Sequence, residues 1–481
     1  MRDKSIRLNA LLNIILTLSN IVFPLITFPY VSRILNPEGI GVVSFFSSIG
    51  NYGILVASLG ISTYGIRAVA SNREDKDKLS KTVQELAVIN VIMSGLVTLL
   101  LLGMALVVKQ LSKESSLLLI TSLTILSSPL ALNWLYSGIE EYAYITKRSL
   151  IFKVFSLILI FLFVKKPADY IVYAGITLFS TLGSNILNVW YSRKFVYIKR
   201  YKNLEFKKHF KPMFYLFASL LAVNIYTNLD TVMLGFINGN EAVGYYSVAS
   251  KVKWILLSLI TSISAVLLPR LSFYISKKNT SKFNKMLKKS SAVIFFIAIP
   301  LVAFFIVEAQ NSIQLLGGEK YISATLSMQI LMPILVISGF SNITGNQILI
   351  PMNREKYFMF AVSLGALVNL GLNLILMPKL GIIGASMATL FAELTQMTVQ
   401  FIYSYKYLAG NISKNNLRNV ILATVIATII LILVKNQIVL ATPFLSLFIA
   451  GSTFFAIYLG VLLLLKEEVT IQLLQFIKLK P

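Results

Sequence analysis

Apolar stretches long enough to cross a bilayer as helices recur along almost the whole chain, separated by short polar connections; roughly 30 Å of hydrocarbon takes about 20 residues. Fourteen segments qualify: 8–33, 40–68, 80–108, 115–138, 143–164, 169–193, 211–237, 243–275, 287–308, 321–350, 356–377, 381–406, 417–435 and 443–465. The pattern predicts an all-α polytopic membrane protein, and an even number of spans puts both termini on one side. The start, Met1-Arg-Asp-Lys-Ser-Ile-Arg7, has the charge of a signal-peptide n-region. The apolar stretch after it runs on to Ile34 without a small-residue cleavage site, so it reads as a retained first span.

The basic residues orient the spans. Of the 44 Lys and Arg, 33 lie in or beside alternate loops on one side, and 8 on the other (Arg33, Lys109, Lys113, Lys165, Lys166, Lys320, Lys379, Lys435). The remaining three, Lys153, Lys251 and Lys253, fall inside spans. By the positive-inside rule both termini are expected in the cytoplasm. The formal net charge of +25 is then an orientation and anionic-lipid signal, not a nucleic-acid footprint.

A shift of 203 residues lays Ile34-Leu-Asn-Pro-Glu-Gly-Ile-Gly-Val-Val-Ser-Phe-Phe-Ser47 on Ile237-Asn-Gly-Asn-Glu-Ala-Val-Gly-Tyr-Tyr-Ser-Val-Ala-Ser250, with five of fourteen positions matching. Glu38 meets Glu241, Gly41 meets Gly244, and further on Arg67 meets Arg270. Both copies form the turn from the first span of a half into the second. Six spans separate them, which predicts parallel repeats about an axis along the membrane normal. The expected organisation is an N-lobe over 1–200, a C-lobe over 201–410 and two additional spans over 411–481, with the basic loop from Arg193 to Lys211 as the linker.

Polar residues inside the spans are the candidate chemistry. Asn9, Asn13, Thr17, Asn20, Pro24 and Thr27 recur every three or four residues, one stripe of the first span. Asn224, Thr227, Asn228, Asp230 and Thr231 gather likewise in span 7, its counterpart. Such stripes line a hydrated cavity or hydrogen-bond between helices; the pattern leaves both open. Ionisable groups in spans face protein or water, not lipid. Lys153, Lys251, Lys253 and Arg33 are the available cations for an anionic ligand, with snorkelling to headgroups as the other reading of the two span 8 lysines. Asp230 and Glu393 are candidates for coupling-ion binding or for ion pairing and helix packing, and Glu38, Arg67, Glu241 and Arg270 for gates. The plain alternative for the two arginines is orientation signal.

Composition removes other classes. With 56% hydrophobic and 13% charged residues and a mean hydropathy of +0.77, there is no room for a soluble enzyme domain. The lack of cysteine and the single histidine, His209, exclude disulfides and a metal or catalytic cluster built on those residues. Gly317-Gly318-Glu319-Lys320 is too short for a phosphate-binding loop and is expected on the external side. No catalytic residue, metal site or cofactor is expected.

Four stretches carry a family likeness: Tyr30-Val-Ser-Arg33-Ile-Leu-Asn-Pro37-Glu38-Gly39-Ile-Gly41, Asn133-Trp134-Leu-Tyr-Ser-Gly138-Ile-Glu140-Glu-Tyr-Ala-Tyr-Ile-Thr146, Leu229-Asp230-Thr-Val-Met-Leu-Gly235, and Asn373-Leu-Ile-Leu-Met-Pro378-Lys-Leu-Gly381-Ile-Ile-Gly384-Ala385. In this order the chain resembles the Wzx-type oligosaccharide flippases of the multidrug/oligosaccharidyl-lipid/polysaccharide exporter superfamily. The resemblance implies two six-helix lobes around a central cavity faced by spans 1, 2, 7 and 8, plus two C-terminal helices. It also implies alternating access driven by a proton or sodium gradient. The implied cargo is an undecaprenyl-diphosphate-linked oligosaccharide repeat unit, moved from the cytoplasmic to the external leaflet of a bacterial cell membrane for capsule or exopolysaccharide assembly. Membrane lipids, a polysaccharide polymerase and chain-length machinery are the implied partners. Drug-exporting relatives hold organic cations on carboxylates buried in the first lobe, and spans 1 and 2 here contain none. A cation exporter of the same fold, a peptidoglycan-precursor flippase and a non-transporting scaffold of a glycan-assembly complex are the alternatives.

Overall fold

The computed structural model describes residues 6–197, 199, 201, 203–408, 410–435 and 442–478. Residues 1–5 of the basic start, and the side chains of Asn9, Asn13 and Thr227 in the two polar stripes, lie outside that description. Among the described residues the chain is helical and has no strand, as a chain in hydrocarbon must be when each backbone N–H and C=O has to find its partner within its own segment. Among the described residues eleven stretches are long and apolar enough to cross a membrane, and one of them, Ile15–Asn72, takes in expected span 2 and most of expected span 1. Fourteen therefore goes beyond this number. Expected spans 5 and 7 are helical over Tyr142–Phe163 and Lys207–Asn238 but are not among the eleven; in the first of them Lys147, Arg148 and Lys153 interrupt the apolar run.

The helices gather into two compact units, Met1–Gly244 and Tyr245–Pro481. The first holds α1 (Ile6–Ser58), α2 (Ile61–Asn72), α3 (Lys76–Val107), α4 (Lys109–Ser112), α5 (Ser115–Ser127), α6 (Asn133–Gly138), α7 (Tyr142–Phe163), α8 (Tyr170–Ser192), α9 (Lys207–Asn238) and the first turn of α10 (Asn240–Ser276). The turn expected between spans 1 and 2 is a single kink at Asn36 (φ 61°, ψ 174°). Pro37 follows it at the first helical position, where a fixed φ and a missing N–H cost nothing. Expected span 2 is itself broken at Leu59 and Gly60, both with positive φ, and continues as α2. Asp75 starts α3 by accepting hydrogen bonds from the backbone N–H of Asp77 and Lys78 at 3.0 and 3.1 Å. Leu79, Leu86, Trp134, Leu135, Tyr136 and Met213 form the buried core that ties α3, α6 and α9 together.

The repeat is visible in the backbone. The kink between α9 and α10 falls on Gly239 (φ 84°, ψ 179°), which the shift of 203 carries onto Asn36. The two junctions also touch. A Cβ on Gly41 would stand 1.7 Å from the Asn240 carbonyl oxygen, and one on Gly244 would stand 1.9 Å from the Pro37 carbonyl oxygen. The same shift carries Pro37 onto Asn240 and Gly41 onto Gly244, so each contact is the other's two-fold mate. Only glycine allows two backbones this close.

The second unit contains the rest of α10, then α11 (Thr280–Val307), α12 (Ala309–Leu316), α13 (Thr325–Leu331), α14 (Ile334–Ser341), a π-helical turn over Asn342–Leu349, α15 (Glu355–Leu380), α16 (Ile382–Leu408), α17 (Lys414–Lys435), α18 (Pro443–Leu464) and α19 (Glu468–Lys478). Small polar side chains join its helices. Ser327 and Ser386 approach to 2.5 Å, Tyr246 and Thr389 to 3.1 Å, and Gln347 donates to Ser264 at 2.7 Å. With lipid tails as apolar as any core, such bonds and close packing replace the hydrophobic drive of a soluble protein. The two expected additional spans, α17 and α18, pack on α11 through Phe304, Phe454 and Tyr458, whose hydroxyl donates to the Phe296 carbonyl at 2.8 Å.

Candidate functional site

A cavity of about 450 Å³ lies inside the first unit, walled by the lower part of α1, by α2, α3 and α9, and by α6 with the turn before it. Five amides reach its wall, Asn51, Asn90, Asn133, Asn224 and Asn228, together with the hydroxyls of Ser58, Ser62, Ser128 and Ser137 and the indole of Trp134. No charged side chain lines it. Asn90 is 5% exposed and its Oδ1 has no hydrogen-bond partner among the described residues, nor has the Ser128 hydroxyl. Asn224 is held by a 2.9 Å bond from its Nδ2 to the Leu220 carbonyl, and Tyr52 donates to the Asn224 carbonyl at 3.2 Å. A smaller cavity of about 130 Å³ shares Asn51 and Ile54 with it.

Behind Asn133 sits a charge that the reading of the loops had counted as an orientation signal. Arg148 lies six residues inside α7 and is 6% exposed. Its guanidinium donates to Asn133 Oδ1 and Ser149 Oγ at 3.0 and 3.4 Å, and to Asn188 Oδ1. Asn188 in turn donates to the Ala131 carbonyl and accepts on its own carbonyl from the Tyr136 hydroxyl. The Tyr144 ring lies 5.7 Å from the Arg148 guanidinium carbon. No carboxylate pairs with Arg148 among the described residues. Its position inside a helix starting at Tyr142 is the sequence signal that marks it as more than a loop cation.

The residues singled out from sequence separate into several places. Asn224 and Asn228 share the large cavity. Asn20 does not line it: Lys153 donates to Asn20 Oδ1 at 2.5 Å and to Ser19 Oγ at 2.7 Å, so the stripe of the first span faces α7 at this level. Asp230 is buried, within electrostatic reach of Tyr52. Arg33, Glu38, Arg67 and Glu241 are exposed in the first unit, Glu38 and Glu241 flanking the two-fold contact. In the second unit Lys251 and Lys253 are half-buried on α10, with Lys251 5.7 Å from the Trp254 ring. Arg270 is exposed near the end of that helix. Glu393, 5% exposed on α16, makes no hydrogen bond or ion pair among the described residues. Of the spans expected to face a cavity, spans 2 and 7 wall this one, and spans 3 and 4 complete it.

At the basic end of the first unit a second polar cluster joins three helices. Glu85 is fully buried on α3. It meets His209 Nε2 at 2.7 Å and Lys208 Nζ at 3.0 Å, and accepts from the Glu205 backbone N–H at 2.7 Å. His209 Nδ1 lies 2.8 Å from the Tyr64 hydroxyl on α2, and Lys81 pairs with Glu205 at 2.9 Å.

A helical, largely apolar-surfaced fold of this kind is that of a multi-pass membrane protein. Two solved structures share it at low sequence identity. "Lipid II flippase MurJ, inward closed conformation" superposes with a TM-score of 0.67 at 17% identity, over 94% of this chain and 98% of that one. An inward-facing multidrug resistance MATE family transporter of the MOP superfamily gives 0.62 at 14% identity, over 81% and 94%. The fold class is therefore that of the multidrug/oligosaccharidyl-lipid/polysaccharide exporters.

Residues 6–275 match the family described as Polysaccharide biosynthesis protein, and residues 216–375 match MatE. The chain belongs to the polysaccharide biosynthesis protein family of that superfamily, as its Wzx-type motifs indicate. Among curated relatives, a protein named "Putative O-antigen transporter" in Escherichia coli (strain K12) is 23% identical over 84% of this chain and 98% of its own length. A second so named, in Shigella dysenteriae, is 26% identical over 80% and 96%.

Proposed function

We propose that this protein is a flippase for lipid-linked glycans. In this reading an undecaprenyl-diphosphate-linked oligosaccharide repeat unit enters from the cytoplasmic leaflet, its glycan in the hydrated interior and its polyprenyl tail left in lipid. It leaves in the external leaflet of the bacterial cell membrane, where a polymerase and chain-length machinery build it into capsule or exopolysaccharide. The observation that carries the reading is the cavity of about 450 Å³, rich in amides and hydroxyls and free of charged side chains. Such a wall matches the alternating donors and acceptors of sugar hydroxyls. It offers no carboxylate to an organic cation, which argues against drug export. The names of the E. coli and Shigella relatives support transport of a glycan.

The diphosphate needs fixed cations. Lys153, held by neutral oxygens of Ser19 and Asn20, is one candidate, and Arg33, Lys251 and Lys253 are the others. Asp230 and Glu393 are the proposed proton or sodium sites, and Glu38, Arg67, Glu241 and Arg270 the proposed gate residues. Alternating access then needs only that cargo and coupling ion bind the two conformations with different affinity. Direction comes from the gradient or from downstream polymerisation.

The test is translocation of an enzymatically accessible lipid-linked oligosaccharide in proteoliposomes under imposed proton or sodium gradients. Wild type is expected to move the glycan, Lys153→Ala to move it at least about tenfold more slowly through loss of a charge-assisted contact, and Asp230→Asn to lose the response to the gradient. Failure of wild type across a panel of glycans under both gradients would sink the proposal.

A further inference from the structure

The wall of the cavity carries a donor whose partner is missing, and its direction is set by a buried charge. Arg148 can only donate, so the Asn133 oxygen must face it, and the 3.0 Å bond fixes that orientation. The other end of the amide, Nδ2, is then free of any hydrogen bond among the described residues, on a residue that lines the cavity. Asn90 lines the same cavity, but its Oδ1 is turned away from the space, buried and without a partner among the described residues. The wall therefore offers amides and hydroxyls and no fixed cation. A diphosphate needs a cation, whereas a neutral sugar hydroxyl is held by hydrogen bonds alone.

We propose that this cavity is a glycan subsite reading sugar hydroxyls through Asn133, and that Arg148 is the positioning residue that turns the Asn133 amide toward the sugar; this rests on the flippase reading. Arg148 also strengthens the donor it positions, because a cation bonded to an amide oxygen polarises the N–H groups at the other end. Lysine cannot replace it, since a single ammonium on a flexible stem does not reproduce the planar fork that spans Asn133 and Asn188.

Asn133→Asp separates positioning from mere support. The aspartate keeps an acceptor for Arg148, and as an ion pair ties α6 to α7 more firmly, but it has no Nδ2 donor to offer. The full-length protein is placed in lipid nanodiscs with Trp190→Phe and Trp254→Phe, leaving Trp134 in the cavity wall as the sole tryptophan, excited selectively over the tyrosines. It is titrated with maltotriose, with tri-N-acetylchitotriose and with inorganic pyrophosphate. The expected result is a saturable shift of Trp134 emission with at least one trisaccharide and none with pyrophosphate. Asn133→Asp should weaken that binding by up to about tenfold, the size of one hydrogen bond between neutral groups, without lowering the thermal midpoint. Arg148→Lys should weaken binding as well. A shift with pyrophosphate and with neither trisaccharide overturns the proposal, as does wild-type affinity in Asn133→Asp. Translocation without trisaccharide binding at Trp134 removes the subsite and leaves the flippase reading intact. Trisaccharide binding without translocation does the reverse.

Discussion

The two ends of the first unit are closed by opposite means. At the kinks, closure is backbone against backbone, Pro37 on Gly244 and Asn240 on Gly41, with no charge and no side chain taking part. At the basic end it is side chain against side chain, with buried Glu85 gripping His209 and Lys208 of α9 and Tyr64 of α2 completing the chain of bonds. The first kind of closure is steric, indifferent to pH and salt, and breaks with one added methyl group. The second is electrostatic and graded, so it can be loosened in steps. For the alternating access proposed above, these are a rigid seam and a tunable clamp.

The largest effect is expected at the seam. Gly41→Ala or Gly244→Ala places a Cβ inside 2 Å of a carbonyl oxygen, so the backbones must separate. Overpacking of this kind costs about 1–3 kcal/mol, and translocation should be abolished. Because the chain contains no cysteine, Val243→Cys, buried beside the seam, reports separation by reacting with a membrane-impermeant maleimide. Unchanged labelling and transport in both variants would remove the seam from the mechanism.

Next comes Glu85→Gln at the clamp. It leaves His209 and Lys208 facing a neutral amide, and breaking a buried pair costs about 3 kcal/mol. The thermal midpoint in detergent should fall while Val243→Cys stays protected; exposure of Val243→Cys would show that the two ends are one mechanical unit. Tyr64→Phe should cost about 1 kcal/mol, one hydrogen bond to His209. A thermal midpoint equal to wild type would mean that α2 is held by packing alone.

The smallest effect is the pH dependence of the rim. Hydrogen bonds first from Lys81 and then from Lys208 hold the exposed Glu205 carboxyl below its usual value of 4.5. A depressed carboxylate stabilises the fold above its unfolded value, and that contribution disappears as pH falls through the folded value. The clamp should therefore weaken below about pH 4.5, whereas the seam contact itself is made by backbone atoms, which do not titrate. Lys81→Met should flatten the acid limb of a melting curve and leave the thermal midpoint at neutral pH nearly unchanged, as the loss of an exposed pair does.

Much of this comparison was legible before any coordinates. Asn36-Pro37 and Gly239-Asn240 are turn punctuation at equivalent places, and the shift of 203 pairs Gly41 with Gly244. What no one-dimensional pattern could say is that the paired glycines meet. Periodicity likewise put Asn224 and Asn228 on one face of a helix, where the cavity has them, but it gave the same polar stripe to Asn20, which is spent on Lys153. A stripe states which side of a helix is polar and is silent about its neighbour. His209 counted only as evidence against a metal cluster, yet it is the hinge of the clamp; its partner Glu85 is 124 residues away in sequence.

The sequence alone determined the membrane setting, the helical class and the duplication, because each is a local or periodic property: runs of apolar residues matched to bilayer thickness, basic residues in alternate loops, and one motif repeated at a fixed distance. Tertiary structure alone decided which polar groups share a space. Arg148 has the same residue type and nearly the same depth as a loop cation, and only the packing of α6 and α8 around it makes it a buried charge behind a cavity wall. Desolvation and hydrogen-bond geometry depend on neighbours from other segments, and those neighbours exist only once the chain has folded.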